Sequence, residues 1–338
     1  MKPPIIGVTL GDPGGIGPEV TVKALARLKS DPHFPRAFIV LFGPLHIFEW
    51  WSRRIRRSLP LVAIPSLDAS FLAKGRIHVM DEGPPTRAGA FFLERGRISK
   101  RSGSLAERAL RTAARAAVRG RIQALVTAPV TKWAIQRTHR SFEGQTEYLA
   151  RAFRARAVVM MFVSDRLRVA LLSRHVALRD VSRLITPTLV RQTVRVVNRT
   201  LRDQFGMRRP RLAVCGLNPH AGEHGRFGDE EHRVLVPALR RLRREGIRLE
   251  GPFAADGLFV YAERYDAILS WYHDQGLIPF KLVARDAGCQ LSAGLPVVRS
   301  SPDHGSALDI AGKGVAEPGS MQYALALALR LIRAQTRS

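Results

Sequence analysis

The sequence of 338 residues lacks the features of a membrane protein or a disulfide scaffold. No stretch approaches the ~20 consecutive apolar residues that a membrane-spanning helix needs. The first apolar run, 5–10, passes directly into a Gly/Pro turn, which is not signal-peptide architecture. Cys215 and Cys289 are the only cysteines, so we expect no disulfide framework and a reducing, cytoplasmic location.

The signatures of nucleic-acid binding are also missing, although the formal net charge is +26. Aromatic residues make up 7% of the chain, and we find no basic tail or zinc-finger spacing. Arginines are instead scattered along helix-like stretches such as 53–58 and 240–248, which is typical of solvated faces. A nucleic-acid-associated protein is therefore the remote alternative, and we expect the charge to concentrate phosphorylated substrates.

Short apolar runs alternate with helical patterns, which predicts an α/β fold. Predicted strands are 5–10, 37–43, 124–130, 158–164, 167–173 and 212–219, and 158–164 is expected to pair with 167–173 as a ribbon. Predicted helices are 104–121, 186–205, 229–246 and 320–334. Thr186 and Pro187 suit the N-cap and first position of the second of these helices.

Three histidines follow three of the apolar runs: His175 in SRHVALRD, His220 in GLNPHAGE and His273 in WYHDQG. One histidine beside a strand is more often a hydrogen-bonded core residue than a ligand. Three of them in loops rich in Asn, Gly, Asp and Glu favour a divalent-metal site in a cleft between two lobes, since imidazole suits Zn²⁺ or Co²⁺. Asp274 is a candidate partner for the second ring nitrogen of His273, and His224 and His232 are expected at the surface.

Two polar turns leave alternatives open. GDPGGIGPE (11–19) either binds a phosphate or is a tight turn in which Asp12 and Glu19 are structural. In VTAPVTK (126–132), Lys132 either faces the cleft or starts a helix.

Other segments offer anion-binding groups. Gln145 and Thr146 lie at the start of a predicted helix, where they either bind an anion or, for Thr146 and Glu147, cap the helix. Lys281 and Arg299 would act as carboxylate or phosphate clamps if both reach one cleft. The small-residue loop 304–318 suits a flat polar ligand, and its Asp309 could accept hydrogen bonds from a ribose.

The order of these motifs resembles the 4-hydroxythreonine-4-phosphate dehydrogenase family of pyridoxal phosphate (vitamin B6) biosynthesis. The resemblance is carried by GDPGGIGPE, VTAPVTK, GQTEYLA, GLNPHAGE, YHDQG and GLPVVRSSPDHGSALDIAGKG, and it covers nearly the whole chain. Loop 304–318 is also similar to the cofactor loop of isopropylmalate dehydrogenase, a related β-decarboxylating enzyme like isocitrate dehydrogenase. The family implies a two-lobed α/β/α subunit without a standard Rossmann fingerprint. It also implies a homodimer whose active site is completed across the interface.

The resemblance also implies an activity and its residues. The activity is metal-dependent, NAD-linked oxidation and decarboxylation of 4-phosphooxy-L-threonine to 3-amino-2-oxopropyl phosphate. The metal (Zn, Mg or Co) would bind His175, His220 and His273. Substrate would contact Gln145, Thr146, Lys281, Gln290 and Arg299, with Lys281 and Asp274 as candidate catalytic groups. NAD, or less favourably NADP, would bind His304, Gly305, Ser306, Ala307, Asp309, Ile310 and Gly312.

Two positions depart from the family pattern. Gln145 stands where the family usually has histidine, and Gln290 stands where it usually has asparagine before Gly-Leu-Pro. Glutamine can hydrogen-bond an anion but cannot carry a proton. The same chemistry on D-erythronate or D-threonate 4-phosphate, or on a dihydrodiol carboxylate, therefore stays an alternative. We expect a first lobe at 1–135 plus 305–338 carrying the cofactor loop. We expect a second lobe at 136–304 carrying the metal and substrate residues and the dimer interface.

Overall fold

A computed structural model describes residues 3–28, 37–81 and 95–335. The chain forms two compact units, here called unit 1 (Met1–Ala155 with Pro296–Arg333) and unit 2 (mainly Arg156–Leu295). Unit 1 is built from two separated segments, as is the predicted first lobe. The lobe boundaries drawn from the sequence stay a prediction.

The predicted α/β class is confirmed by the alternation of strands and helices along the described residues. The strands are β1 Ile5–Thr9, β2 Phe38–Phe42, β3 Leu61–Ile64, β4 Ile77–Met80, β5 Ala124–Thr127, β6 Val159–Ser164, β7 Arg168–Leu171, β8 Leu212–Cys215, β9 Leu249–Phe253, β10 Ala267–Ser270, β11 Gly288–Ala293 and β12 Val298–Ser301. The α-helices are α1 Gly17–Leu28, α2 Leu45–Arg54, α3 Lys100–Val118, α4 Lys132–Gln136, α5 Gln145–Ala152, α6 Val181–Leu184, α7 Pro187–Asp203, α8 Val236–Arg244, α9 Ala255–Val260, α10 His273–Ala284 and α11 Gly319–Gln335. Among the helices of the described residues, none combines the length and apolar character that crossing a bilayer requires.

In unit 1 the strands run in the order β3-β4-β2-β1-β5-β12, and each pairs in parallel with its neighbour. Strand β5 is buried throughout, and so is β1 apart from its first residue, as expected for a parallel sheet covered on both faces. Because parallel strands end at one edge, the segments after β1, β5 and β12 emerge side by side.

In unit 2 the order is β11-β6-β7-β10-β8-β9. Strand β6 is antiparallel to β7 and to β11, which confirms the predicted ribbon. Strands β7, β10, β8 and β9 are mutually parallel. The carboxyl ends of β7, β10 and β8, each followed by one of the three histidine segments, therefore lie at the same edge.

Helix ends show where local sequence signals were sufficient. Thr186 caps α7, and its side-chain oxygen accepts from the Leu189 amide at 3.1 Å, with Pro187 following as predicted. Helix α3 begins earlier than expected because Ser99 caps it by accepting from Ser102 N at 3.0 Å. The predicted helix 229–246 is divided into a π-helical turn, Glu231–Leu235, and α8. Pro237 lacks the N–H that a regular helix would use, which accounts for an irregular turn there.

Candidate functional site

The turn after β1 is a packed structural element. Its backbone amides already donate within the protein, at Asp12, Gly14, Gly15 and Ile16. The amide of Ile16 donates to the carbonyl of Ser306 at 2.9 Å. A Cβ on Gly15 would lie 2.5 Å from that carbonyl, so only glycine allows the approach. Because those four amides are engaged, the structure favours the tight-turn interpretation over phosphate binding.

Glu19 has the structural role that the sequence left open. Its carboxylate is fully buried, accepts from the Ala316 amide at 2.8 Å and pairs with Lys23 Nζ at 2.8 Å. Lys23 also donates to the carbonyls of Gly314 and Ala316, each at 2.8 Å. These contacts fasten the far end of loop 304–318 to α1.

The predicted cofactor residues all lie in the loop that follows β12 in unit 1. Ser306 is buried, and its hydroxyl lies 2.7 Å from that of Thr131. Asp309 is exposed. His304 Nδ1 lies 3.0 Å from the Gly305 carbonyl, while its Nε2 is buried without a hydrogen-bond partner among the described residues. The remaining predicted members are Ala307, Ile310 and Gly312.

Arg299 is the centre of a buried polar cluster in unit 1. It lies on β12, is 2% exposed and donates to the hydroxyls of Thr127 at 2.5 Å and Thr146 at 3.3 Å. A guanidinium stays charged when buried, so these two hydroxyls offset part of its desolvation cost. The structure thus brings the predicted Arg299 and Thr146 together. Thr127 was missed, although a polar residue ending a buried strand could have drawn attention to it.

Gln145 begins α5, and only one of its two side-chain polar atoms makes a hydrogen bond within the described residues. Nε2 donates to the Ala128 carbonyl at 3.1 Å, while Oε1 is buried and lacks a hydrogen-bond partner within the described residues. The N-cap position is Gly144, which has no side chain, so Thr146 is not the N-cap residue of this helix. Lys132 is exposed and is the first residue of α4, which favours the helix-start alternative.

Two of the three predicted metal-binding histidines are neighbours in unit 2. The ring centroids of His175 and His273 are 5.9 Å apart. His273 Nδ1 lies 2.6 Å from Asp274 Oδ1, the predicted partnership, which leaves Nε2 to act as a ligand atom. The His220 ring instead lies 6.1 Å from that of Phe227. Across residues 3–28, 37–81 and 95–335, no three His, Cys, Asp or Glu side chains are placed to hold a metal ion.

The turn that carries His220 has an unusual backbone. Residues 220–224 all have positive φ, from 40° to 82°, and a left-handed conformation costs about 1–2 kcal/mol for each non-glycine residue. Buried Glu231 anchors the turn by accepting from the backbone and side-chain nitrogens of Asn218 at 2.8 and 2.9 Å. Such strain is concentrated at functional sites. Three imidazoles fit a Zn²⁺ or Co²⁺ site chemically, but His220 would have to move to complete it.

Unit 2 also holds the other predicted substrate residues. Lys281 is half-buried on α10, and Gln290 on β11 is 5% exposed with Nε2 donating to Ser292 Oγ at 3.2 Å. His224 and His232 are exposed, as predicted.

Both cysteines lie in the interior of the protein. Cys215 and Cys289 are buried and are not disulfide-bonded, in agreement with the expected lack of a disulfide framework. Burial raises the pKa of Cys215 to about 12, which excludes it as a thiolate nucleophile near neutral pH.

Comparison with known proteins shows which family this chain is similar to. The family described as pyridoxal phosphate biosynthetic protein PdxA matches residues 45–328. A D-threonate 4-phosphate dehydrogenase of Salmonella typhimurium is 38% identical over 334 residues, covering 98% of this chain and 100% of the relative. A 4-hydroxythreonine-4-phosphate dehydrogenase of Methylorubrum extorquens is 42% identical over 335 residues, covering 96% and 94%.

A solved structure agrees with the sequence relatives. The 4-hydroxythreonine-4-phosphate dehydrogenase of Klebsiella pneumoniae superposes with a TM-score of 0.85 at 34% identity, covering 97% of this chain and 99% of that one. The family match spans most of the chain, and relatives above 30% identity cover nearly all of it. The chain therefore belongs to the PdxA family.

Proposed function

We propose that this protein oxidises 4-phosphooxy-L-threonine at its secondary alcohol with NAD and decarboxylates the product to 3-amino-2-oxopropyl phosphate, in vitamin B6 biosynthesis. The observation that carries the proposal is the buried Arg299 with its two threonine hydroxyls in a PdxA-family chain. A permanently charged, hydrogen-bonded guanidinium is a preformed site for phosphate or carboxylate.

The substrate residues have distinct tasks. Arg299 and Thr146 bind the phosphate, and the fixed orientation of the guanidinium places it for a bidentate contact. Lys281 holds a second anionic group or relays a proton, and Gln290 donates to a substrate oxygen. The Nε2 of Gln145 is engaged by Ala128, so its Oε1 accepts from a substrate donor.

Metal and cofactor are assigned by residue chemistry. His175, His220 and His273 would hold a divalent cation such as Zn²⁺, Co²⁺ or Mg²⁺, which supplies Lewis-acid polarisation of the alcohol oxygen when bound. Asp274 orients His273 through Nδ1. Loop 304–312 would bind NAD, which accepts the hydride. Asp309 would accept a hydrogen bond from the ribose 2′-hydroxyl, which favours NAD over NADP because NADP carries a phosphate at that position.

Assembly as a homodimer belongs to the same proposal. In unit 2, Ile278 and Leu282 on α10 are 59% and 74% exposed and lie one turn apart on the same helix face. Leu178 and Val176, which follow His175, are 68% and 42% exposed. Exposed apolar residues of this size suit burial against a second copy that completes the active site.

The second candidate is the same chemistry on D-threonate 4-phosphate. The Salmonella typhimurium relative carries that name, and a neutral amide at Gln145 serves a substrate hydroxyl as well as an ammonium group.

The decisive experiment measures NADH production by metal-reconstituted protein. 4-Phosphooxy-L-threonine, D-erythronate 4-phosphate and D-threonate 4-phosphate are compared with and without a chelator. Chelator-sensitive turnover that prefers the first supports the proposal. Turnover on D-threonate 4-phosphate alone selects the second candidate, and no turnover on any of them overturns both.

A matched pair of variants tests the metal residues. His220→Ala should abolish turnover while leaving the protein folded. His224→Ala changes an exposed histidine in the same turn and should remain active. Wild-type turnover by His220→Ala would contradict the metal assignment.

A further inference from the structure

Trp271 lies where the three histidine segments of unit 2 begin. It follows β10 and is completely buried. Its carbonyl accepts from the backbone amide of Ser173 at 3.0 Å and from the Ser173 hydroxyl at 2.5 Å. Its indole Nε1 donates to the carbonyl of Cys215 at 2.5 Å. One side chain and its own backbone therefore join the ends of β7, β8 and β10.

Gln275 completes the connection from the first turn of α10. Its Oε1 accepts from the Trp271 amide at 2.8 Å. Its Nε2 donates to the carbonyl of Gly216 at 2.7 Å. Because both ends of the amide are used, the side chain has one orientation, and it ties the end of β8 to the end of β10.

Each bonded residue leads into a histidine segment. Ser173 precedes His175, Gly216 precedes His220 and Trp271 precedes His273, in each case by a few residues of the same loop. Loss of one of these bonds would leave a backbone carbonyl or amide at a strand end without its partner, at a cost of about 1–3 kcal/mol. The loop would be free to shift in order to recover a partner.

We propose that Trp271, Gln275 and Ser173 form a positioning hub that fixes the ends of β7, β8 and β10, from which the segments carrying His175, His220 and His273 extend. This inference rests on the proposed metal-binding role of those histidines. Its hydrogen bonds run to backbone groups, so the hub acts on the histidine segments through the backbone. Groups that hydrogen-bond metal ligands directly typically contribute 10–100-fold to metal affinity, and we expect the hub to act at the lower end of that range.

Cobalt binding tests the hub with a readout other than activity. Metal-free, full-length protein is titrated with Co²⁺ while visible absorption reports the ligand geometry. Gln275→Met keeps the size and neutrality of the side chain but removes both hydrogen bonds. We expect Co²⁺ affinity to fall at least about 10-fold with a changed absorption band. Trp271→Phe, which removes the indole donor, should likewise lower the Co²⁺ affinity and change the absorption band.

Matched controls separate positioning from general stability. Gln192→Met, at an exposed position on α7, and Trp133→Phe, at a 74% exposed site, should bind Co²⁺ like the wild type. A purely structural hub would lower the melting temperature of the metal-free variants but leave Co²⁺ affinity and spectrum unchanged in the folded protein, and that result would overturn the proposal. If Trp271→Phe does not fold, Gln275→Met, whose site is half-buried, decides the question.

Histidine variants distinguish failure of the hub from failure of the metal assignment. If His175→Ala, His220→Ala and His273→Ala each lose Co²⁺ binding while Gln275→Met retains it, the hub alone is wrong. If the histidine variants bind Co²⁺ as the wild type does, the metal assignment fails and the hub proposal fails with it.

Discussion

The two units hold their candidate functional side chains in different ways. In unit 1, Arg299 and Thr146 are almost completely buried and bonded directly to each other. In unit 2, His175 and His220 are exposed on loops, and the bonds that hold those loops run through backbone groups at Trp271 and Gly216. The proposed anion site is thus formed in advance, whereas the proposed metal ligands are supported indirectly.

Physical chemistry accounts for this difference. A buried guanidinium needs hydrogen-bond partners before any ligand arrives, because an unsatisfied buried charge is expensive. An exposed imidazole is solvated by water and therefore needs no hydrogen-bond partner from the protein. In unit 2, backbone strain lies in the left-handed turn at 220–224, which carries His220.

The largest effect on catalysis should come from breaking the proposed anion site around Arg299. Arg299→Lys keeps the positive charge but loses the planar fork that reaches Thr127 and Thr146. We expect kcat/KM for a phosphorylated substrate to fall at least about 100-fold, equivalent to about 2.7 kcal/mol of transition-state stabilisation. Steady-state kinetics measure it, and Co²⁺ affinity in unit 2 should be unchanged.

The matched control is Arg151→Lys, an exposed arginine in the same unit that pairs with Glu143 at 3.3 Å. It should leave kcat/KM within about 2-fold, since exposed ion pairs contribute little. Equal kinetics for the two variants would show that the cluster around Arg299 is not an anion site.

A comparable effect, on stability rather than on catalysis, concerns how unit 1 holds loop 304–318, the proposed cofactor loop. Lys23→Met removes the partner of fully buried Glu19 together with donors to Gly314 and Ala316. An isolated buried carboxylate should lower the free energy of unfolding by about 3 kcal/mol. Chemical denaturation measures the loss, and KM for NAD should rise as the loop loosens.

A double variant tests that explanation. Glu19→Gln with Lys23→Met should recover most of the lost stability, because the neutral amide no longer needs a counterion. Arg27→Met removes only the exposed pair with Glu317 from the same helix, and we expect a change below about 1 kcal/mol. A double variant as unstable as Lys23→Met would mean that the ion pair is not the cause.

The sequence predicted the fold wherever the signal was local. Buried strands appear as short apolar runs, and Thr186 with Pro187 marked a helix start because a capping oxygen and a proline act within one turn. The same holds for the partnership of His273 with its chain neighbour Asp274. The three histidine segments follow strands whose carboxyl ends share one edge, so the three motifs extend from the same edge of the sheet.

Other parts of the site depend on residues that are distant in sequence. Neither the bond from Trp271 to Cys215 nor that from Arg299 to Thr127 has a local signature. The positive φ angles at 220–224 arise in residues other than glycine at all but one position, so composition does not reveal them. These features follow from tertiary hydrogen bonds, which override local propensity.

The smallest expected effect is a pH dependence of folding stability that arises from a buried histidine in unit 1. His78 in unit 1 is 1% exposed, and its Nε2 accepts from the Ala73 amide at 3.0 Å. Burial lowers its pKa below the usual 6.5, although a hydrogen bond with the Ile39 backbone acts in the opposite direction. The unfolded chain therefore binds a proton at this histidine more readily than the folded protein does. Stability should be constant above the unfolded pKa and should fall as pH drops below about 6.5.

His78→Gln keeps an acceptor for Ala73 but removes the titration. Denaturation midpoints between pH 5 and 8 should therefore fall less steeply at the acidic end than in the wild type. A residual slope is expected from His46, whose pKa is also lowered by burial. His224→Gln in unit 2 replaces a histidine that is exposed and should leave the wild-type slope intact. An identical slope in all three proteins would show that burial of His78 does not contribute to the acid sensitivity of unit 1.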